Sequence, residues 1–461
     1  MKTFKYVIGL IFILGILLSA CQPNAAEPTD AVVDETEGTE TDDGDVEAPV
    51  EGTGEVIELA FWTLLGGANG DRIQKLVDDF NASQDEIVIV NERQGGYDDL
   101  QQKLLAAVAA GNPPPLTMVD YKYVPFYAKN GVFVPINDFA TEADMEDFIP
   151  GLLTDLTFEG QVYAVPFNRS TQGMFYNKDL MEAVGLDPDS PPETWSEMVE
   201  IGPAVKELDE DYFVTYGKES NAQWMFEPMV YQFGGRVSDE NCRFVFNEPG
   251  EGGVEVMEFL QENVYDTEYF LIGANPVGGF YEVSFEWATE GRVLFTRSST
   301  ALQGGLEDNV DFNWGFAKFP YAEGGTPAVT SGGANIAITT NTTDAERAAA
   351  WEFARFVSNT ENSAWFHMET GYMPSRYSVL DLPEVQEFHA ENPTWLVSVD
   401  QLEFVKPTAC GVFNAPEWAS VMQAALDRII LNNEDVQTVL DDAAEQLNIT
   451  IDSIPEDELI K

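Results

Sequence analysis

Between Val56 and Asp120 the apolar positions switch repeatedly between the period of a strand and the period of a helix. Val56-Ile57-Glu58-Leu59-Ala60-Phe61-Trp62 alternates and predicts a first strand. After Gly66-Gly67-Ala68-Asn69-Gly70, Ile73, Leu76, Val77 and Phe80 recur at helical spacing and predict a helix with one buried stripe. Ile87 to Val90 predicts a second strand. The turn Gly95-Gly96-Tyr97-Asp98 then opens a helix through Leu100, Leu104, Leu105 and Val108, which Gly111-Asn112 and Pro113 to Pro115 end. Leu116-Thr117-Met118-Val119 is a third strand and finishes on Asp120. Strands alternating with helices predict a mostly parallel sheet whose ligands collect beyond the carboxyl ends of the strands. Asp120 sits at such an end, where it serves equally well as a ligand acceptor or as the cap of the next helix. The glycines at 66–70 lack both Gly-x-Gly-x-x-Gly spacing and a Gly-Lys-Ser/Thr ending, so a ligand-facing turn fits better than a phosphate cradle.

The second half has the same alternation. Val165-Pro166-Phe167-Asn168-Arg169-Ser170-Thr171 leads into a short apolar strand ending in Asn177-Lys178-Asp179. Thr194 and Glu197 form a capping box for a helix reaching about Leu208. Val214 to Gly217 reads as a strand, Gln223 to Phe226 as the start of a helix containing Trp224, and Gly234-Gly235 as a turn. Glu255 to Glu262 and Val283 to Thr289 read as helices, and Gly291 leads into the strand Arg292 to Thr296, followed by Arg297-Ser298-Ser299-Thr300. Thr330 to Asn335 resembles a ligand-facing loop. The rest is largely helical: Asp344 to Val357, Glu361 to His367, Pro416 to Leu431 and Asp435 to Leu447, with a turn at Thr370-Gly371-Tyr372-Met373-Pro374.

A chain of 461 residues is too long for one compact core and predicts two lobes. Its formal net charge of −57 excludes a nucleic-acid footprint and electrostatic adhesion to anionic lipid. Residues 1–21 read as a targeting segment, with Lys2 and Lys5 followed by an apolar run to Leu18. Leu18-Ser19-Ala20-Cys21 resembles the lipobox of bacterial lipoproteins, so Cys21 is the expected lipidation site and multiple acyl chains the expected anchor. Residues 22–55 are rich in Ala, Thr, Gly, Pro and acids and read as a disordered tether. Residues 1–55 hold twelve acidic and two basic side chains, which leaves −47 on the body. Cys242 and Cys410 are candidates for a disulfide outside the cytoplasm. His367 and His389 are the only histidines and lack metal-ligand spacing, and no Gly-x-Ser-x-Gly elbow occurs. No cofactor, metal site or catalytic group is therefore expected.

In order, "G-x-Y-D" at Gly95, "PFN-x-ST" at Pro166, "Y-NKD" at Tyr176, "GLDP" at Gly185, the glycines at 332–333 and "TGY-x-P" at Thr370 resemble the extracellular solute-binding proteins of ABC importers. The nearest likeness is to their glycerol-3-phosphate-binding branch, and it covers residues 56 to about 450. It implies an α/β, two-lobed periplasmic-binding-protein-like fold with hinge crossovers and a ligand cleft between lobes. The expected division is 56–167 first lobe, 168–316 second lobe, 317–360 return to the first, and 361–461 C-terminal helices mainly on the second. The implied ligand shell is Tyr97, Asp120, Ser170, Trp224, Ser298, Ser299, Gly332, Gly333 and Tyr372. Gly411 stands where the branch carries an arginine, which argues against a phosphate ligand and for extra room in the cleft. The resemblance implies an extracytoplasmic, lipid-anchored monomer, not an enzyme. It would capture a small hydroxylated solute, a sugar or polyol, and pass it to permease and ATPase subunits on other chains. The alternatives are a glycerol-3-phosphate or glycerophosphodiester receptor and, from other classes, a secreted glycoside hydrolase or a surface adhesin.

Overall fold

The computed structural model describes residues 56–217, 222–272, 291–306 and 310–460. The expected leader, tether and helix Val283–Thr289 lie outside them. The alternating opening forms β1 (Ile57–Thr63), which pairs in parallel with β2 (Ile87–Arg93) and β3 (Leu116–Asp120). The helices Gly67–Ser83 and Tyr97–Ala109 carry the chain back each time, as parallel pairing demands. Ile73, Leu76, Val77 and Phe80 are all buried, whereas Leu105, expected on the buried stripe, is exposed. A small hairpin, β4 (Thr157–Phe158) and β5 (Gln161–Val162), precedes β6 (Val165–Ser170), β7 (Gln172–Asn177), β8 (Phe213–Gly217) and β9 (Phe270–Ile272). Then follow β10 (Val293–Ser299), β11 (Trp314–Lys318), β12 (Val329–Thr330), β13 (Gly332–Ile338) and β14 (Val405–Lys406).

Two five-stranded sheets result. The first has the order β2-β1-β3-β13-β6 and the second β11-β7-β10-β8-β9. Each has its own core. Around the first sheet Phe353 meets Phe61 and Phe80 edge-on at 5.3 and 5.2 Å. Around the second, Trp418 stacks on Phe244 at 5.1 Å among Trp195, Phe226 and Leu440. These are the two lobes.

The changeover between sheets falls at Thr171. Asn168, Arg169 and Ser170 still pair with Ala334, Gly333 and Gly332 in the first sheet, so the boundary expected after Phe167 moves to the end of β6. The return moves too: β11 stays in the second sheet to Lys318, which pairs with Gly173. Thr360–Thr370 belongs to the first lobe, since Phe366 and Tyr372 lie in its core. A third crossing strand, β14, pairs with β12 beside the other two.

Two buried glutamines hold these crossings together. Gln172 Nε2 donates to the Trp224 carbonyl (2.5 Å) and to Thr330 Oγ1 (2.7 Å), while its Oε1 accepts from Thr330 N (3.0 Å). Gln401 Nε2 donates to Thr171 Oγ1 and the Gln172 carbonyl, and its Oε1 accepts from Phe319 N. Cys242 and Cys410 form a disulfide with Cα atoms 5.1 Å apart, tying the helix Cys410–Asn414 to the second lobe.

Candidate functional site: the cleft between the lobes

On the first lobe the sheet brings expected residues into one cluster. Asp120 ends β3 and does cap the next turn: its Oδ1 accepts from Lys122 N at 3.4 Å, and Oδ2 pairs with Lys122 Nζ at 3.1 Å. Tyr97 opens its helix from the Gly96 turn, and its Oη accepts from Asn168 Nδ2 at 3.4 Å. Burial, with Tyr372 and Asp120 nearby, pushes the Tyr97 hydroxyl well above its ordinary pKa, so it stays a donor. Tyr372 is buried and stacks on Phe366 at 5.7 Å. Its carbonyl accepts from His367 Nδ1 at 2.6 Å, and His367 Nε2 lies 2.8 Å from His389 Nε2. A carbonyl only accepts, so His367 carries its proton on Nδ1 and the neutral pair is held by His389 Nε2–H. Arg169 reaches Asn335 Oδ1 (2.9 Å) and Ser331 Oγ (2.8 Å) and lies over the Tyr121 ring. Burial pulls its guanidinium below its ordinary pKa, and Asp155, Tyr121 and Asp120 oppose that pull.

From the second lobe the helix Ala222–Gln232 presents Trp224 and Glu227. The Trp224 ring seats on Gly332, where a Cβ would stand 1.9 Å from Cζ3. Gly333 has φ +100° and would drive a Cβ into the Asn168 carbonyl. The segment expected as a loop at 330–335 is strand on either side of Ser331, and its two glycines serve close approach. Ser298 is buried at the end of β10, opposite Gly173, with Oγ lacking a hydrogen-bond partner among the described residues. Ser299 Oγ instead accepts from Ala301 N at 3.2 Å. Ser170 is buried at the end of β6. Gly411 does not open the cleft: a Cβ there would meet the Cys242 carbonyl at 2.8 Å and Phe244 at 3.0 Å. The arginine's place is taken up by second-lobe packing against the disulfide turn.

Glu227, Asp155 and Asn168 belong to this site, although the sequence singles out none of them as ligand residues. Asp155, on the first lobe, accepts from Thr408 N at 3.2 Å. Glu227 accepts from Ala409 N at 3.1 Å and Tyr231 Oη at 2.9 Å. Burial raises Asp155 and pushes Glu227 up to about 7. Glu227 stands one turn after Trp224 on the same helix, a spacing that does not by itself set it apart from a solvated acid. Among the described residues no group of three or more His, Cys, Asp and Glu is placed to hold a metal ion. Acceptors, hydroxyls and aromatic rings thus converge where two separately folded lobes meet, an arrangement suited to enclosing a small polar molecule.

A family model described as bacterial extracellular solute-binding protein matches residues 75–393. The chain belongs to this family. This solute-binding protein is 27% identical over 411 residues to the sn-glycerol-3-phosphate-binding periplasmic protein UgpB of Rhizobium meliloti, covering 86% of this chain and 94% of that one. Among solved structures it resembles UgpB from Mycobacterium tuberculosis in complex with glycerophosphocholine. The TM-score is 0.78 and the identity 26%, with 86% of this chain and 98% of that one covered. A maltose-bound MalE3 of T. maritima shares the fold at TM-score 0.74 and 20% identity, over 86% of this chain and 100% of that one. The solute-binding protein is the substrate-binding receptor of an ABC importer and works outside the cytoplasm. Its relatives are binding proteins of transporters rather than enzymes.

Proposed function

We propose that the cleft captures a neutral sugar or polyol and that the lobes close on it about the Thr171, Lys318–Val329 and Gln401–Thr408 crossings. The observation that carries this reading is the local charge balance. Three carboxylates, Asp120, Asp155 and Glu227, face two cations, and both cations are already engaged, Lys122 by Asp120 and Arg169 by Asn335 and Ser331. Hydroxyls match such acceptors, and Trp224, Tyr97 and Tyr372 offer flat walls for the C–H face of a sugar. Ser170, Ser298, Ser299, Gly332 and Gly333 complete the proposed shell. An anion would enter against this field and a body charge of −47.

One observation favours a second reading, a glycerol-3-phosphate or glycerophosphodiester receptor. Arg169 Nε is buried without a partner among the described residues, and Arg is the residue best shaped to hold a phosphate. The names of the UgpB relatives support the same reading. Thermal shift and calorimetry with maltose, glycerol, glycerol 3-phosphate and glycerophosphocholine separate the two, since bound ligand raises the melting temperature by mass action. Tight glycerol 3-phosphate binding with no response to maltose or glycerol would overturn the first.

The finer parts of the reading are a monomer, lipid-anchored through Cys21, that delivers solute to permease and ATPase on other chains and has no catalytic activity. Cys21→Ala should release the protein from the membrane fraction with ligand binding intact. Incubated oligosaccharides should be recovered unaltered.

A further inference from the structure

Glu227 is fully buried, yet only half of its carboxylate is used. Oε1 takes both donors, Ala409 N at 3.1 Å and Tyr231 Oη at 2.9 Å, while Oε2 has no hydrogen-bond partner among the described residues. An acceptor left bare in a buried site carries a desolvation cost that a native fold seldom leaves standing without use. Its surroundings say what kind of group would relieve it. The titratable groups facing Glu227 are Asp155, Lys122 and Tyr121 from the first lobe and Tyr231 from its own helix. Lys122 is held by Asp120. The carboxylate therefore stands on the second lobe but looks across the interlobe space, one helical turn beyond the Trp224 ring that closes onto Gly332.

We infer that Glu227 Oε2 is a ligand contact that accepts a hydrogen bond from a hydroxyl of the bound solute, and so selects hydroxyl donors over anions at this end of the cleft. This rests on the reading of the cleft as the solute site. A hydroxyl donates a proton that an acceptor-only carboxylate needs, and a ring bearing neighbouring hydroxyls can stack on Trp224 while donating to Glu227. A phosphate oxygen in the same place would put two acceptors against each other. The donated bond favours the ionised carboxylate, so binding and deprotonation of Glu227 help each other. In the ligand-free protein burial holds this group near pH 7, which makes the coupling visible at ordinary pH.

The test uses calorimetry of the full chain with maltose, glycerophosphocholine and glycerol 3-phosphate, each of which carries free hydroxyls, from pH 6 to 8.5. Wild type should bind at least one of them, with affinity rising across this range. Glu227→Gln keeps the shape and an oxygen for Ala409 and Tyr231, but turns an amide N–H₂ toward the ligand. It should weaken binding by about ten- to a hundredfold, as expected for loss of a charge-assisted bond, and flatten the pH dependence. The unliganded melting temperature of the variant should equal or exceed that of wild type, which a merely structural role would not allow. Wild-type affinity in a well-folded Glu227→Gln protein would overturn the inference and leave the cleft reading intact. Failure of all three probes to bind wild type would overturn both.

Discussion

Asp155 and Glu227, carboxylates of opposite lobes, accept from consecutive backbone amides: Thr408 N donates to the first at 3.2 Å and Ala409 N to the second at 3.1 Å. One peptide step of the third crossing therefore reads both faces of the cleft at once. Burial raises both pKa values, and the nearby charge of Asp155 adds to that rise for Glu227, while for Asp155 the added push comes from Asp120.

Stability should consequently depend on Glu227. Its folded value of about 7 lies above the ordinary 4.5, so the folded chain binds the proton more tightly than the unfolded one. Below pH 4.5 both states are protonated and there is no penalty. The penalty grows as pH rises and is complete above pH 7, at up to about 3 kcal/mol. Denaturation of wild type and Glu227→Gln side by side at pH 5 and pH 8.5 should show the variant gaining relative to wild type at the higher pH. Parallel curves would refute the assignment.

Gly332→Ala should act on closure more than on folding of the first lobe. A Cβ 1.9 Å from Trp224 Cζ3 unseats the ring, and overpacking of this kind typically costs about 1–3 kcal/mol. The expected outcome is a loss of ligand affinity of about tenfold or more and a larger radius of gyration with ligand than wild type shows. Scattering and calorimetry check both. A variant that binds and compacts like wild type would count against Trp224 as the closing wall.

How much of this could be seen in the chain depends on how local the cause is. β1, β2 and β3 and their helices follow from periodicity, because each buries one face against its neighbour. Leu105 fits the same spacing but is exposed. The stretch Thr330–Asn335 resembles the family's ligand loop, yet it is strand on either side of Ser331. The reason for its glycines is tertiary: a tryptophan from the other lobe and a carbonyl from β6 occupy the space a side chain would need. Gly411 misled in the opposite sense, since the turn closed by Cys242 fills the room its missing side chain seemed to leave. Glu227 in a helix is indistinguishable from the many solvated acids of a chain with 80 of them. Only the fold reveals that it is buried. Gln172 and Gln401 carry no motif at all.

Gln172→Ala should show the cost of that hidden pair. It leaves Thr330 N and the Trp224 carbonyl without Gln172 as a partner, and buried unsatisfied groups cost about 1–3 kcal/mol each. Urea denaturation should report a loss of about 2–6 kcal/mol for the two groups together. Gln401→Ala, at the same junction, should be non-additive with it, because both side chains serve the Thr171–Gln172 step. Strictly additive losses would show the two to be independent.

The histidine pair sets an acid limit. Burial lowers His367 to about 4, below its ordinary 6.5, so the unfolded chain takes up the proton first. Stability present above pH 6.5 is lost as pH falls through 4, by up to about 3 kcal/mol. The first proton can enter His389 on Nδ1 without breaking the pair, whereas protonating His367 on Nε2 removes its only acceptor. His389→Ala should therefore destabilise the protein at pH 7 by about 1–3 kcal/mol. Proton-detected titration of the two rings should show His389 titrating first. The reverse order would overturn the tautomer assignment.

The bond between Cys242 and Cys410 has a consequence for when the receptor becomes competent. Ala409, whose amide meets Glu227, is the residue immediately before Cys410. The position of the peptide that spans the two acids is thus set by a covalent link that only an oxidising compartment completes. A chain still in the cytoplasm would hold that peptide by packing alone, and its cleft would reach final geometry only after export. Oxidation would then serve as the last step of maturation, ensuring that solute is gripped on the side of the membrane where it is to be collected.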